Sequence, residues 1–447
     1  MDFTTFKGAV IEAAKKQGIE EYELYFQTAE STTVSAFKHE INEFSSSVDG
    51  GVCFRCIVDG KMGYASTKDL SAASAEELVG RAASNAASLE NDEKEFLGEG
   101  GKEYEPLEVE VYELPSTDKL VATVLEGQDA LYAANPAVID GSSTRAGVSK
   151  RTTAIFNSKG LDLSFESSSA NVMMSSVVRK DGEVANDYNA DNGNFAELNI
   201  KEIADKAVEK AMNKLGAQVA PTGAYPVVFS PEAMGMMLST FSGFFSSETA
   251  LRGLTKFRGQ EGQKIAADIV TLIDDPFYKD GSPINFDAEG SPAHKKTIIE
   301  NGVLKTLLYN LKTAHAFGVE TTGNASKASY DAPVSVRPFT MYLQPGELTE
   351  EELLKKAGNG VYITSLGGMH AGANPISGDF SLQSSGFMIE NGVKTTPVAS
   401  FTVAGNFYSL LGQITAIANE IKLPGMRFGG AFGSPAVLVE GLSIAGK

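Results

Sequence analysis

The pattern of apolar and polar residues divides the chain into two halves of different character. Long amphipathic helices and hairpins alternate in the first half, whereas the second half holds short apolar runs separated by glycine turns. Apolar side chains that recur every three or four residues predict helices over residues 1–17, 74–89 and 198–215, and a further helix capped by Ser116 or Thr117. The first half is therefore typical of an α+β domain.

Runs of β-branched and aromatic residues between turn residues predict the strands of the first half. The predicted strands are Glu23–Thr28, Val34–Phe44, Val148–Asn157, Leu161–Ser168 and Ala170–Arg179. A hairpin over residues 51–66 turns at Asp59-Gly60, a favoured two-residue turn. Residues 91–105 carry few apolar side chains, so we expect an exposed connection there.

One stretch, Pro226–Phe245, opens the second half and predicts a strand, a tight turn and a helix. Ser230 is a favourable N-cap, and Pro231 occupies the first helical position. The apolar face of this helix consists of Met234, Met237, Leu238, Phe241 and Phe245. The small, polar face consists of Gly235, Ser239, Thr240, Ser242 and Gly243. Such a face suits either a metal with its substrate or a closely packed strand.

Paired apolar strands that meet at Asn-Gly turns dominate the rest of the second half. Both turns read Ile-Glu-Asn-Gly-Val, at residues 299–303 and 389–393. Two helices interrupt the strands, one around residues 310–317 and one whose capping box joins Thr349 and Glu352. Strands and helices do not alternate here as they do in a parallel sheet. This pattern therefore predicts a curved antiparallel sheet or barrel.

The fold class that we predict is α+β, in two domains. An N-terminal α+β domain of two helix/hairpin units spans residues 1–220. A C-terminal antiparallel β-barrel-like domain, with the strand–helix element in its core, spans residues 221–447. The boundary falls within residues 216–224, where proline and glycine interrupt all periodicity.

The balance of charge narrows the range of partners. The 447 residues carry a formal net charge of −19, so no basic surplus exists to neutralise nucleic-acid phosphates or an anionic membrane. The N-terminal helix lacks the features of a signal peptide, and no apolar run is long enough to cross a bilayer. We therefore expect a cytoplasmic protein with neither a nucleic-acid nor a membrane partner.

Residues able to carry catalysis are few and scattered. Cys53 and Cys56 lie in a predicted strand, whose positions i and i+3 face opposite sides, so a structural role is favoured. No two of the four histidines fall within one helical turn, and neither a nucleophile elbow nor a phosphate loop occurs. His370 lies in a glycine-rich loop after a buried strand, where substrate contacts are common. Three histidines suit structural or solvent-facing positions: His39 on a polar strand face, His294 in a loop and His315 on a short helix.

Several segments, in order along nearly the whole chain, resemble one protein family. They are CIVDGKMGYAST (Cys56–Thr67), VVFSPEAMG (Val227–Gly235), ENGVLKTLLYNLKTAHAFG (Glu300–Gly318), HAGANPISGDFSLQSSGFMIENG (His370–Gly392) and VAGNFYSLL (Val403–Leu411). In combination they resemble the TldD/PmbA metallopeptidases, also called modulators of DNA gyrase. Within that family the chain is similar to the branch called TldE or PmbA.

The resemblance implies a division of labour between two proteins. The TldD branch carries a helical H-E-x-x-x-H zinc motif and a cysteine ligand near its C-terminus, and the TldE branch lacks these and pairs with TldD. Together they act on unfolded or extended peptides, which include the leaders of modified antibacterial peptides and small antitoxins.

By this resemblance, the zinc motif falls on the helix of Pro226–Phe245. Ser239 and Phe244 occupy the two histidine positions, Thr240 occupies the glutamate position, and Pro424–Phe428 stands where TldD relatives carry the cysteine. Serine and phenylalanine do not replace imidazole ligands, and threonine is not a carboxylate base. We therefore expect no catalytic residue, metal ligand or cofactor in this chain, and zinc in a TldD-like partner.

Two hypotheses remain open at this point. In the first, the chain is a non-catalytic TldE-like subunit that pairs with a TldD-like zinc peptidase, and His370, Asn374 and Asp379 contribute to a groove for unfolded peptide. In the second, the chain acts alone, as a homodimeric peptide-binding protein or as a peptidase with an unrecognised metal site. His370, Asp379 and Glu390 are then the first candidate ligands.

Overall fold

Long antiparallel strands dominate the N-terminal half of the protein, and a closed barrel occupies the C-terminal half. The computed structural model describes residues 1–90, 94–281, 283–423 and 430–447. The helices are α1 (Phe3–Lys16), α2 (Ala72–Ala87), α3 (Thr117–Ala134), α4 (Ile200–Met212), α5 (Pro231–Phe241), α6 (Ser247–Leu251), α7 (Leu311–Phe317), α8 (Glu350–Ala357), α9 (Met369–Gly372) and α10 (Phe407–Gly412).

The strands follow in chain order. They are β1 (Glu21–Phe37), β2 (Glu40–Val58), β3 (Lys61–Thr67), β4 (Ser143–Asn157), β5 (Asp162–Lys180), β6 (Glu183–Gly193), β7 (Gln218–Val219), β8 (Gly223–Phe229), β9 (Leu272–Asp274), β10 (Lys296–Glu300), β11 (Val303–Leu304), β12 (Ala325–Ser326), β13 (Ser335–Val336), β14 (Thr340–Leu343), β15 (Gly360–Gly367), β16 (Asp379–Glu390), β17 (Val393–Asn406), β18 (Ile414–Ile417), β19 (Ala431–Gly433) and β20 (Val437–Ala445).

A six-stranded antiparallel sheet in the order β3-β2-β1-β4-β5-β6 forms the N-terminal half. Helices α1 and α2 cover one end of β1 and β2, where Phe6, Leu24 and Phe54 are fully buried. Helices α3 and α4 cover the other end, where Val34 and Val172 are fully buried. Two hydrophobic cores therefore lie along the same long strands.

Two of these strands are longer than the sequence pattern predicts. β1 continues past the predicted end at Thr28, and β5 joins the two predicted strands 161–168 and 170–179 into one. The polar residues between the apolar runs stay in register with β2 and β4. They are compatible with a strand because part of the sheet is open to solvent there. The prediction of separate short strands was wrong for this reason.

The segment 94–105 packs between the two halves instead of forming an exposed connection. Leu97 is buried, and Gly98 lies so close to Glu289 that a Cβ atom would collide with the carbonyl oxygen of Glu289. The Tyr104 hydroxyl donates a hydrogen bond to the carbonyl oxygen of Gly290 at 2.8 Å. The prediction of an exposed connection over 91–105 was wrong for Leu97 and Gly98, because a few apolar and glycine residues suffice for a narrow contact. The residues that are exposed as predicted are Lys94, Glu99, residues 101–103 and Glu105. Residues 91–93 lie outside the described residues.

Five strands of the C-terminal half close into a barrel, which confirms the predicted α+β class with a β-barrel-like C-terminal part. The strands neighbour one another in the order β8-β15-β16-β17-β20, and β20 pairs with both β17 and β8. The β16–β17 hairpin turns at Asn391-Gly392, whose φ angles of 53° and 78° are those that a two-residue turn requires. The division of the chain at residue 220 stays a prediction.

The stretch Pro226–Phe245 contains the end of β8 and all of α5, as predicted. The Ser230 hydroxyl accepts a hydrogen bond from the N–H of Ala233 at 3.2 Å and so caps the helix. α5 packs against β8 and β15 of the barrel, and against β14 and β19 of a second sheet in the order β11-β10-β9-β14-β19. The helix therefore joins the barrel to the second sheet.

The ring of Phe241 supplies a test of this packing. Phe241 is 1% exposed, and its ring centroid lies 4.6 Å from that of Phe407. We expect Phe241→Ala to lower the free energy of unfolding by about 3–5 kcal/mol, because truncation leaves a cavity in the core. The matched control is Phe44→Ala, since Phe44 is 53% exposed. Urea unfolding followed by circular dichroism measures both, and equal losses would contradict the burial of Phe241.

Candidate functional site

A cavity of about 310 Å³ opens beside α5, at the helix that carries the zinc-motif positions. Its walls come from the end of α5, from α6, from β13 with the two residues after it, and from β19. The residues that matter for its chemistry are Ser239, Ser246, Glu248, Thr249, Arg337 and Phe432. Ser239, Ser242 and Gly243 of the predicted small, polar face thus border an open space, whereas Gly235 is buried.

The three zinc-motif positions do not face this cavity together. Ser239 lines it, whereas the Thr240 hydroxyl donates a hydrogen bond to the backbone oxygen of Met236 at 2.8 Å. Phe244 is fully buried in the hydrophobic core, where its ring stacks on Tyr408 with 4.3 Å between centroids. Only one of the three side chains therefore contacts the open space beside α5.

Two charged side chains line the cavity, and only one of them has an ion-pair partner among the described residues. Glu248 forms an ion pair with Arg252, with 2.6 Å between Oε1 and Nη2. The Arg337 guanidinium has no ion pair or side-chain hydrogen bond to any residue that the structure describes. The uncompensated charge on the cavity wall is therefore positive.

Metal-binding side chains are not clustered in the described ranges. Among residues 1–90, 94–281, 283–423 and 430–447, no group of three or more His, Cys, Asp or Glu side chains is placed to hold a metal ion. Pro424–Phe428, which stands where TldD relatives carry a cysteine, lies outside the described residues. The expectation of a chain without its own cofactor stays a prediction.

Two of the three predicted groove residues share a second cavity, of about 510 Å³, beside the connection between β15 and β16. Asn374 and Asp379 line it, while His370 lies in α9 with an exposed side chain. The Asn374 carboxamide oxygen accepts the N–H groups of Ile376 and Ser377 at 2.9 and 3.1 Å. Asn374 therefore holds a turn, and its contact with a substrate stays a prediction.

The Asp379 carboxylate is tied to the same turn. It accepts hydrogen bonds from the Asn406 amide at 2.8 Å and from the Ser377 hydroxyl at 2.7 Å. These two donors hold the pKa of Asp379 below its ordinary value. Asp379 is therefore ionised at neutral pH.

Glu390 does not join Asp379 in one metal site. The two residues occupy opposite ends of β16. A strand rises about 3.3 Å per residue, so roughly 36 Å of strand separates them. Asp379 and Glu390 of one chain therefore do not share a site, because all of β16 intervenes. The role of each of His370, Asp379 and Glu390 as a candidate ligand stays a prediction.

A buried cluster of charges between the halves was missed in the sequence. Arg55 of β2 donates from Nε to Glu23 of β1 at 2.8 Å, and its Nη1 lies 3.8 Å from Oε1 of Glu289. All three side chains are nearly inaccessible to solvent, and Arg55 Nη2 has no hydrogen-bond partner among the described residues. One signal was available in the sequence, since Glu23 and Arg55 are charged residues inside apolar strands; the structure places them directly opposite each other.

Burial and hydrogen bonding determine whether Glu289 of this cluster or the nearby Asp287 carries a proton. Burial raises the pKa of Glu289 to about 8, and it also raises the pKa of Asp287. Asp287 accepts three backbone N–H groups, from Glu289, Ser291 and Ala325, each at 2.9 Å. Glu289 accepts one, from Leu311 at 2.9 Å. We therefore assign the proton at neutral pH to Glu289.

The cysteines lie where the sequence predicts, and one histidine does not. Cys53 and Cys56 are buried in different hydrophobic clusters, on opposite faces of β2. His39 lies in the turn between β1 and β2 with a φ of 57°, and its Nδ1 is 3.1 Å from Asp129. The prediction of a strand position for His39 was wrong, because the chain reverses direction there.

Comparison with known sequence families agrees with this architecture. Residues 22–86 match PmbA/TldA metallopeptidase domain 1, residues 111–215 match the central domain, and residues 222–446 match the C-terminal domain. The three domains occur in order, and the C-terminal match alone covers half of the chain. The chain therefore belongs to the PmbA/TldD metallopeptidase family, which confirms the resemblance in the sequence.

Solved structures with the same fold cover nearly the whole chain. A Thermotoga maritima protein, described as a candidate modulator of a DNA gyrase, is 31% identical with a TM-score of 0.90, over 99% of this chain and 100% of that one. TldE from Thermococcus kodakarensis is 25% identical with a TM-score of 0.89, over 98% and 99% of the two chains.

Relatives known from sequence carry metalloprotease names. A Methanothermobacter thermautotrophicus metalloprotease is 27% identical over 423 residues, 93% of this chain and 91% of that one. A metalloprotease PmbA homolog of Haemophilus influenzae is 25% identical over 418 residues, 92% and 90% of the two chains. A TldD homolog of the same organism is 27% identical over 262 residues, 55% and 53% of the two chains.

Within the described residues, no helix has both the length and the apolar character needed to cross a lipid bilayer. The cytoplasmic location stays a prediction.

The buried Glu289 predicts a loss of stability as the pH rises from about 4.5 to about 8. Its pKa rises from an ordinary 4.5 to about 8, so the folded protein binds this proton more tightly than the unfolded chain. The stability gained is complete below about pH 4.5 and is lost as the pH rises through about 8. We expect the urea midpoint to fall between about pH 4.5 and 8 and to level off above about pH 8, and the Glu289→Gln variant to show a flatter profile. Glu108→Gln, at an exposed position, is the control, and an unchanged slope in Glu289→Gln would contradict the assignment.

Proposed function

We propose that the chain is a TldE/PmbA-like subunit of a two-protein peptidase, and that a TldD-like partner supplies the zinc. The observation that carries this proposal is the state of the zinc-motif positions, Ser239, Thr240 and Phe244. The Phe244 ring is packed on Tyr408 in the core, and the Thr240 hydroxyl is bound to the helix backbone. This chain shapes the substrate chamber, and the partner performs hydrolysis.

The extent of similarity to named relatives supports the TldE-like assignment. The matches to the PmbA homolog and to TldE cover at least nine tenths of both chains. The match to the TldD homolog covers little more than half of either chain. Among these three relatives, which carry the name of one branch, agreement along the full length therefore lies with PmbA and TldE.

The proposed substrate is an unfolded or extended peptide. The extended residues Ser335 and Val336 of β13 form part of the cavity wall beside α5. A peptide that adds as a strand to an extended segment is held mainly through its backbone, so the sequence of the peptide matters little. This mode of binding suits a peptidase that accepts unfolded chains.

The proposed partner meets the N-terminal sheet at the free edge of β2. β3 pairs with residues 52–58 of β2 and leaves residues 40–51 without a neighbouring strand on that side, among the described residues. Ile41, Phe44 and Val48 are exposed there and share one face of β2. An open strand edge with exposed apolar side chains suits pairing with another subunit. A TldD-like subunit belongs to the same family, so we propose that it offers a matching strand.

The division of labour is tested by measuring zinc and hydrolysis. We expect the isolated chain to retain no stoichiometric zinc by atomic absorption and to leave an unfolded casein-derived peptide intact. Mixed with a TldD-like subunit, it should raise the rate of hydrolysis above that of the TldD-like subunit alone. Stoichiometric zinc or hydrolysis in the isolated chain would overturn the proposal and favour the stand-alone peptidase.

The β2 edge is tested by placing a charge on it. We expect Phe44→Lys to weaken association with a TldD-like subunit about tenfold or more, because burial of an unpaired ammonium group is unfavourable. Sedimentation velocity at several concentrations measures the change. Val393→Lys is the control, since Val393 is 59% exposed on the β16–β17 hairpin, away from β2. Unchanged association of Phe44→Lys would contradict the interface.

The same measurement addresses the alternative hypothesis of a homodimer. If the chain associates with itself in the absence of a partner and Phe44→Lys abolishes that association, the stand-alone homodimer is favoured. A monomer that associates only with a TldD-like subunit supports the two-protein peptidase.

A further inference from the structure

We propose that the cavity beside α5 binds the free C-terminal carboxylate of the peptide, with Arg337 as its anchor. This inference rests on the proposed function, since it names the part of the peptide substrate that reaches the cavity. It assigns a recognition task to the space next to Ser239, where relatives with the zinc motif have their metal ligands.

The Arg337 guanidinium provides the charge that such a ligand requires. Arg337 lines the cavity with an exposed side chain, and no residue in the described part of the chain forms an ion pair with its guanidinium. The neighbouring acidic group, Glu248, is already paired with Arg252 at 2.6 Å. A guanidinium group presents two parallel N–H donors that match the two oxygens of a carboxylate. The electrostatics of the cavity therefore favour an anion of this shape.

Hydroxyl-bearing residues of the cavity wall supply further donors. Ser239, Ser246 and Thr249 line the cavity together with the guanidinium. A serine or threonine hydroxyl can rotate to donate to a carboxylate oxygen. An apolar side chain of a ligand would leave these three hydroxyl groups without a partner. This wall therefore suits a polar group at the end of the peptide.

The chain path explains why the end of the peptide reaches this point. A peptide strand that adds parallel to β13 runs along Ser335 and Val336 with its C-terminus towards Arg337 and Pro338. Pro338 has no N–H group, so backbone pairing cannot continue past it. The ladder therefore stops beside the guanidinium, where a chain terminus fits better than a continuing backbone.

The size of the cavity agrees with a single terminal residue. Its volume is about 310 Å³, at the lower end of the range for small-ligand sites. Val336, Pro338 and Phe432 form an apolar part of the wall. The carboxylate would contact Arg337, and an apolar side chain of the last residue would contact Phe432.

Binding of matched peptides tests the inference. The probe is a fluorescein-labelled unfolded peptide of ten residues ending in leucine, made as the free acid and as the C-terminal amide. Fluorescence anisotropy with the full chain should show about tenfold tighter binding of the free acid, equivalent to about 1.4 kcal/mol. In Arg337→Gln the two forms should bind equally, at the level of the amide. Arg179→Gln, an exposed arginine on β5, should retain the preference for the free acid.

A second variant is designed to fill the cavity without changing the charge of Arg337. Gly243 lines the cavity, and a Cβ atom there would meet nothing closer than Thr249 Oγ1 at 4.0 Å, so the start of a side chain is accommodated at this position. Gly243→Leu should therefore fill the cavity and abolish the preference for the free acid. A circular dichroism spectrum equal to that of the natural chain verifies that each variant is folded.

The remaining outcomes are decisive. A C-terminal amide that ends in aspartate tests whether a side-chain carboxylate substitutes for the terminus, and tighter binding of this peptide than of the leucine amide would overturn the terminal assignment. Equal binding of free acid and amide, or a preference that persists in Arg337→Gln, overturns the inference and leaves the proposed function intact. Absence of binding by every peptide also overturns it, whereas the zinc and hydrolysis measurements decide the proposed function independently.

Discussion

The buried guanidinium of Arg55 is the interaction on which the joining of the two halves depends. It contacts Glu23 from its own half and Glu289 from the other, with nearly no access to solvent. Removal of one partner from such a cluster leaves an uncompensated charge, which typically costs about 3–5 kcal/mol. Protonation of Glu289 keeps the cluster close to neutral. Gly98 of the segment 94–105 lies against Glu289, so this segment adds a second contact between the two halves at the same place.

Local signals explain which parts of the fold the sequence predicts well. The Asn391-Gly392 turn and the Ser230 cap are decided by residues next to each other, and both are confirmed. The length of β1 depends on pairing with two other strands, so its polar middle portion looks like a loop in the sequence. The burial of Leu97 depends on the opposite half of the chain. The pattern of residues therefore did not predict features that depend on partners distant in the sequence.

The candidate site could likewise be predicted only in part from the sequence. The resemblance identifies the helix with Ser239, Thr240 and Phe244, but the direction of each side chain is decided by packing. Phe244 enters the core because Tyr408 offers a ring to stack on. Arg337 carries no local signature in the sequence, and its place on a cavity wall depends on the meeting of β13 with α5 and α6. The positions of Phe244 and Arg337 depend on residues that are distant in the sequence, so they were found only in the structure.

The course of β1 has a consequence for the cooperativity of the N-terminal half. Leu24 near its start belongs to the core under α1 and α2, and Val34 near its end belongs to the core under α3 and α4. Both side chains point to the same face of one uninterrupted strand of 17 residues. Separation of this strand from the sheet would open both cores at once. The two helix layers are therefore parts of one folding unit, and their opening should be a single cooperative event with amides along β1 exchanging together.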